Sequence, residues 1–396
     1  MLTDCGRELH RLLAERSLSL REAARQAGCS PGYLSNVAHG RKPLTPRIAA
    51  RLDRVLGTSE TFAAFALVQP SAGLLLPDAS GPAGVSRGNA IAVAAALDEI
   101  LSGYVQADRL VGSVVLLLPL RSHIATVELA CEVARGQDRT SLLAFGSRFM
   151  EFCGWAHQDA GDLDCAMQWA SKALDYAVEL GDQRTIAYTL MRKAAIATEA
   201  GMPGHGVGIS TAALASGDAL TPRLRAVILR QRAHASAALQ EHVAASRDAD
   251  AAVAEAIAGI SQDEDDRAPY CTPMYAEMEA GAVHLRLGNA ARALAVLEPS
   301  CSQWSDSSQA RDHGLSLGRL AEAYAAVGER DQARAAAEDA LTAAAGLASH
   351  RVTGQLAEVA SKLAAWADDS GTAATQRKLA AAAGTQLTAV TRGGKP

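Results

Sequence analysis

Aromatic residues make up only 4% of this 396-residue chain, and asparagine occurs just three times, at positions 36, 89 and 289. Lysine is scarce beside arginine. The seven cysteines (Cys5, Cys29, Cys131, Cys153, Cys165, Cys271 and Cys301) include no C-x-x-C pair. That spacing argues against a zinc ribbon or a dithiol redox motif and for reduced, mostly buried thiols. Long hydrophobic runs are missing as well. The most apolar stretch, LVGSVVLLLPL (110–120), is too short to cross a bilayer and stops at Arg121, so no membrane anchor is expected. Met1 leads almost directly into an amphipathic helix without a secretory leader, and a cytoplasmic protein is expected.

Catalytic signatures are equally lacking. No G-x-x-x-x-G-K-[ST], H-E-x-x-H or G-x-S-x-G occurs. GMPGHGVG (201–208) has the glycines of a phosphate loop but no strand before it, and reads as a helical-hairpin turn. QDEDDRAP (262–269) reads as a solvated acidic loop. His157, His205, His234, His242, His284, His313 and His350 show no metal-ligand spacing. An enzyme is not expected, and neither is a metal or other cofactor.

What is present is helix-forming. Alanine and leucine abound, hydrophobic residues reach 49%, and β-branched runs are few. An all-α chain follows. Charge is uneven along it. Residues 1–60 carry ten basic and six acidic side chains, a net +4, so the rest carries −9 of the total −5. A basic head on an acidic body is the asymmetry expected when only the head meets a polyanion.

The head reads as four or five short helices. Asp4 can cap the first, with Leu9, Leu12 and Leu13 on its apolar face. Ser19 caps a second over Leu20 to Ala27, whose Ala23, Ala24 and Ala27 permit close contact. Gly28 fits a helix stop, and Ser30-Pro31 is a cap followed by proline at the first helical position. PGYLSNVAHG makes the third helix, with Leu34 and Val37 inward and Gly40 at its end. Thr45-Pro46 opens a fourth that buries Ile48, Leu52, Val55 and Leu56.

Over residues 7 to 57 this combination resembles the helix-turn-helix of phage-repressor-like regulators, the Xre family, here of the actinobacterial type. The matching residues are Leu18, Ala24, Gly28, Ser30, Leu34 and Gly40-Arg41, with a Leu-rich closing helix. The resemblance implies that the third helix enters the major groove of double-stranded DNA with Pro31, Gly32, Tyr33, Ser35 and Asn36 facing bases. Asn36 would read adenine, Ser35 either base type, and Tyr33 a thymine methyl or a phosphate. Arg21, Ser30, His39, Arg41, Lys42 and Arg47 would hold phosphates. One departure matters: Pro31 and Gly32 stand where long polar readers are usual. Base readout is therefore expected to be modest, with DNA shape or dimer spacing supplying the rest.

VQPSAGLLLPDASGPAGVSRGN (68–89) is rich in Pro, Gly and Ser and reads as a linker. Beyond it the chain repeats. GWAHQDAGDLDCAMQWASKAL (154–174) aligns with LAEAYAAVGERDQARAAAEDAL (320–341) through Gly154, Gly161, Ala166, Ala173 and Leu174 against Ala321, Tyr324, Gly328, Ala333, Ala340 and Leu341. Weaker copies carry Gly201 and Gly288, and a degenerate one spans 232–253. This pattern resembles the tetratricopeptide repeat, with turn glycines about 40 residues apart. The expected architecture is a helix-turn-helix domain over 1–66, a linker over 67–88, a right-handed α-solenoid of tetratricopeptide-like hairpins over 89–370, and a tail over 371–396.

The first helix of each hairpin should line a concave wall. Repeat position nominates Arg148, Glu151, Trp155, Gln158, Tyr188, Met191, Tyr275 and Met278. The family resemblance implies a signalling peptide held by paired asparagines, a mode that three asparagines in the whole chain do not support. The effector, small molecule or peptide, stays open. The favoured reading is a homodimeric transcriptional regulator that binds an operator and senses a ligand or partner. The alternative is a helical interaction scaffold whose helix-turn-helix is vestigial or a docking module.

Overall fold

The computed structural model describes residues 4–16, 18–39, 44, 46–58, 61–62, 85–261, 267–304, 309–366 and 368–393. Among these residues the regular structure is helical and no strand occurs. The chain divides into two compact units, Met1–Gly84 with Leu118–Thr126, and Val85–Leu117 with Val127–Pro396.

In the head, α1 (Asp4–Glu15), α2 (Leu20–Ala27), α3 (Pro31–Ala38) and α4 (Pro46–Leu56) form a helix-turn-helix core. Local chemistry sets the ends of the two middle helices. The Ser19 hydroxyl accepts the Glu22 N–H at 3.1 Å, and Ser30 accepts the Tyr33 N–H at 3.0 Å. Gly28 closes α2 at φ 70°, a conformation that costs a Cβ-bearing residue energy. Leu9, Ala23, Ala24, Ala27, Leu34, Val37 and Leu52 are fully buried. Small residues bring the backbones close: a Cβ on Gly6 would lie 2.0 Å from the Ala38 carbonyl oxygen. Asp53, itself buried, accepts the Phe62 N–H at 2.8 Å and so fixes the chain after α4. Ile48 and Val55, expected inside, are only half-buried. The third helix ends at Ala38 with His39 as its cap, while Gly40, Thr45 and nearly all of the expected linker lie outside the described residues.

The second unit begins with α5 (Ala90–Val111); α6 (Leu117–Val133) follows in the chain, its residues 118–126 falling in the first unit and the rest in the second. Six hairpins come next among the described residues: α7 (Gly136–Asp159) with α8 (Leu163–Leu180), α9 (Gln183–Glu199) with α10 (Pro203–Leu214), α11 (Pro222–Ala238) with α12 (His242–Ala258), α13 (Pro273–Arg286) with α14 (Ala290–Cys301), α15 (Ala310–Val327) with α16 (Arg330–Ala343), and α17 (His350–Leu363) with α18 (Ser370–Gly393). The turns of four hairpins sit on Gly161, Gly201, Gly288 and Gly328, all at positive φ. The third hairpin turns on Gln240 at φ 60°, the one non-glycine of this kind among the described residues. That substitution hid the third turn from a search for glycines. GMPGHGVG contributes only its first residues to a turn, since α10 starts at Pro203.

Residues 371–396, read from sequence as a fraying helix and a loose tail, are helical to Gly393 as part of α18, which packs on α17 and buries Leu379 completely. The array also curls back on itself. The Ser349 hydroxyl, at the start of the sixth hairpin, donates to Asp159 of the first at 2.7 Å. Between them, the Ala348 N–H donates to the Val111 carbonyl of α5 at 3.0 Å.

Two helices, Ala90–Val111 and Val114–Val133, meet the length and composition of a membrane span. The run at 110–120 looked too short because it straddles the break between these two helices, each of which extends away from it. α5 nevertheless carries Asp108, whose carboxylate is bonded inside the repeat unit. A bilayer would strand that charge.

Candidate functional site

Each unit presents one candidate site. In the head, α3 buries Leu34, Val37 and Ala38. Pro31 and Gly32 stand exposed, and Ser35 and Asn36 are half-exposed one turn on. These four share a face by helical spacing, with His39 exposed beyond them. Tyr33 leans on the apolar core, so its ring is partly committed to packing. Ser30 uses an oxygen lone pair for the cap, which leaves its O–H free to donate. Arg21 is exposed on α2. Arg25 and Arg11 are engaged with Glu22 and with Glu8 and Glu15, respectively. Arg51 sits under Gly28, 3.4 Å from the Ala27 carbonyl. Arg41, Lys42 and the Arg47 side chain lie outside the described residues.

In the repeat unit, the first helices of the hairpins and α5 line a half-open cavity of about 930 Å³. Its wall is dominated by charge. Glu279 on α13 is 1% exposed and accepts from His234 at 2.7 Å, Arg319 at 2.9 Å and Arg230 at 3.2 Å, with Arg351 at 3.7 Å. Burial by itself would raise this carboxyl; the arginines and the histidine bond overcome it and hold Glu279 well below the usual carboxylate range. His234 is lowered by burial, against the pull of Glu279, which favours the neutral imidazole. Arg230 also donates to the Tyr275 hydroxyl at 3.2 Å.

A second cluster surrounds Trp155. Its indole N–H donates to Asp108 at 3.1 Å, and the guanidinium carbons of Arg192, Arg311 and Arg351 lie 4.8, 5.3 and 5.7 Å from the ring centre. Arg311 grips Asp108 with two nitrogens at 2.8 and 2.9 Å, tying α5 to α15. Arg192 pairs with Glu151 at 2.8 Å, and burial raises the Glu151 carboxyl.

Of the residues nominated from sequence, Glu151, Trp155, Gln158, Tyr188 and Tyr275 line this cavity. Three do not. Met191 and Met278 are fully buried in the core, and Arg148 points to the exterior, paired with Asp98 at 2.9 Å. The methionines lie three residues beyond Tyr188 and Tyr275, whereas the wall continues four residues beyond, at Arg192 and Glu279. Sequence reasoning missed Arg192, Arg230, His234, Glu279, Arg311, Arg319 and Arg351. A usable signal existed in part: a charged side chain stands four residues from each nominated aromatic, at Glu151 before Trp155, Arg192 after Tyr188 and Glu279 after Tyr275, in helices where a core position would be apolar.

At the first hairpin turn, ligand atoms of His157, Asp162 and Cys165 lie within 4.8 Å of one another. Asp162 already serves as the α8 cap, accepting the Cys165 N–H at 3.1 Å, and it meets His157 at 3.1 Å. The arrangement is accounted for by the turn.

Comparison with known proteins follows the same division. A family model described as a helix-turn-helix domain matches residues 4–65. No match is found among curated proteins. Solved structures with similarity include a Podosopora anserina kinesin light chain with nearly identical TPR-like repeats, at 16% identity over 50% of this chain and 96% of that one, TM-score 0.37. A Rap protein complexed with competence and sporulation factor matches at 14% identity over 70% and 87%, TM-score 0.46. Bacillus thuringiensis PlcR in complex with the peptide PapR7 and DNA matches at 12% identity over 75% and 92%, TM-score 0.34.

Proposed function

We propose that this chain is a cytoplasmic, sequence-specific DNA-binding transcriptional regulator of the Xre type. It acts as a homodimer on an inverted-repeat operator, and its repeat unit both dimerises and binds an effector in the inner cavity. The observation that carries this reading is the α3 face. A capped helix of eight residues buries only Leu34, Val37 and Ala38 and leaves Pro31, Gly32, Ser35 and Asn36 outward, on a head with net positive charge. Such a face fits a major groove, and two copies are needed because one small head gives little affinity or specificity. Arg21, Ser30, His39, Arg41, Lys42 and Arg47 hold phosphates in this scheme, and Asn36 reads a base. Effector occupancy then shifts the protein between DNA-competent and incompetent populations. No step requires catalysis.

Genome-wide binding of the full chain tests the reading directly. Discrete promoter sites with an inverted repeat support it. Their absence favours the scaffold reading, in which the repeat unit binds a protein partner. One observation speaks for that second reading: the outward face of α3 carries proline and glycine where a reader needs length.

A further inference from the structure

Over the whole cavity wall arginines and carboxylates balance, seven of each, but their distribution does not. Arg311 alone faces two acids, Asp108 at 2.8 Å and Asp159 at 3.6 Å. Around Glu279 the ratio inverts. Three guanidiniums converge on that single carboxylate, and two of them, on Arg230 and Arg319, belong to residues only 7% exposed. Asp312 also acts on Arg351, but burial raises its carboxyl, which makes it a poor counter-ion, and Glu151 is committed to Arg192 at 2.8 Å. Donors are also left over. Arg230 Nε and Arg192 Nη2 are buried and have no hydrogen-bond acceptor. A desolvated N–H on a cation without an acceptor is costly and is normally satisfied. Beside these donors lie three phenol rings, Tyr188, Tyr270 and Tyr275, all on the cavity wall, with Tyr270 and Tyr275 5.4 Å apart edge to face.

We propose that the cavity takes a small organic anion: one carboxylate or phosphate group docks among Arg192, Arg230 and Arg351, and a flat apolar body lies against Tyr188, Tyr270 and Tyr275. This deepens the regulator reading by giving its effector a chemistry, and it rests on that reading for its biological role. The anion supplies the acceptors that Arg230 Nε and Arg192 Nη2 lack, and it shares Arg230 and Arg351 with Glu279. The volume, about 930 Å³, is at the upper end of small-molecule sites, roughly 300–1,000 Å³, so a ring system with a single charged group fits with room for more.

Three probes with one body separate the possibilities: 2-naphthoate, 2-naphthyl phosphate and uncharged 2-naphthamide, titrated calorimetrically into the full-length protein. At least one anion should bind about tenfold or more tighter than the amide, as expected for a charge-assisted bond. The carboxylate and phosphate arms tell the two head groups apart. Arg351→Met, at a half-buried position, should erase most of that margin while the melting temperature stays near wild type. Glu279→Gln, which removes the competing carboxylate, should widen the margin where the protein remains folded; Arg192→Met provides a second test from another helix. Equal binding of all three probes, no binding by any, or a margin untouched in both arginine variants overturns the proposal. Failure of the regulator reading shows elsewhere, as loss of discrete DNA sites, whatever the probes do.

Discussion

Head and body handle arginine in opposite ways. In the head, Arg11, Arg21 and Arg25 stand in water, and the core beneath them is alanine and leucine. In the body, Arg192, Arg230, Arg311 and Arg319 are turned inward around a cavity and tied to buried carboxylates. Exposed guanidiniums attract an extended polyanion through a long-range, salt-screened field. Enclosed ones lose their hydration and must be matched group by group, which suits a single small partner. On the proposed reading one residue type serves two kinds of recognition, and the surroundings decide which.

The sharpest way to break this contrast is Glu279→Ala. Removing the shared carboxylate leaves three guanidiniums buried without their partner, and the repeat unit should lose about 3–5 kcal/mol. Calorimetric unfolding measures it; a loss below about 1 kcal/mol would mean that the hub does not hold the wall. Next comes Gly6→Ala in the head, where the new methyl meets a backbone oxygen that cannot rotate away. A cost of about 1–3 kcal/mol is expected, with DNA retention falling while probe binding in the cavity is kept. If both fall together, the two units are not independent in stability.

Arg41→Ala with Lys42→Ala should weaken binding to every DNA sequence and flatten the salt dependence by about 1.8 in log–log slope, roughly 0.9 per phosphate contact. Electrophoretic titration at several salt concentrations reads it, and an unchanged slope removes these residues from the phosphate set. Asn36→Ala should instead change which site is selected from random sequence.

Acid should separate the units in another way. Burial lowers His234, His284 and His313 below the ordinary value near 6.5. The unfolded chain therefore binds more protons than the folded one below that pH. Stability is complete above about 6.5 and declines as pH falls toward the folded values. All three lie in the body, so its melting temperature should drop between pH 7 and 5, and His284→Leu should reduce the drop. The smallest expected effect is a gain: Gln240→Gly relieves a left-handed backbone and should stabilise the third hairpin by about 1 kcal/mol or less. No gain would indicate that the Gln240 amide, 3.2 Å from the Ala237 carbonyl, offsets the strain.

Much of the fold was legible. Ser19, Gly28, Ser30 and Pro31 act on backbone groups one to three residues away, and local chemistry of that kind can be read along a line. The glycine turns at Gly161, Gly201, Gly288 and Gly328 were legible for the same reason, and the one at Gln240 was not, because no side-chain rule announces it. Five residues of the cavity wall were found at repeat positions, three of them aromatic. The rest hid in the choice between i+3 and i+4. Met191 and Arg192 flank the same direction from Tyr188 on a helix, as Met278 and Glu279 do from Tyr275. Which of each pair faces inward depends on where the neighbouring hairpins lie.

Sequence alone determined that the chain is helical, where most helices begin and turn, and that its first sixty residues carry a net positive charge. Those properties come from contacts within a few residues and from composition. Tertiary structure decided that the repeat array curls back until its ends meet, that Asp108 bridges α5 to α15, and that three arginines from α11, α15 and α17 share one carboxylate on α13. Residues up to about two hundred positions apart come together there. Only the summed rotation between successive hairpins sets that meeting, and no local pattern records it.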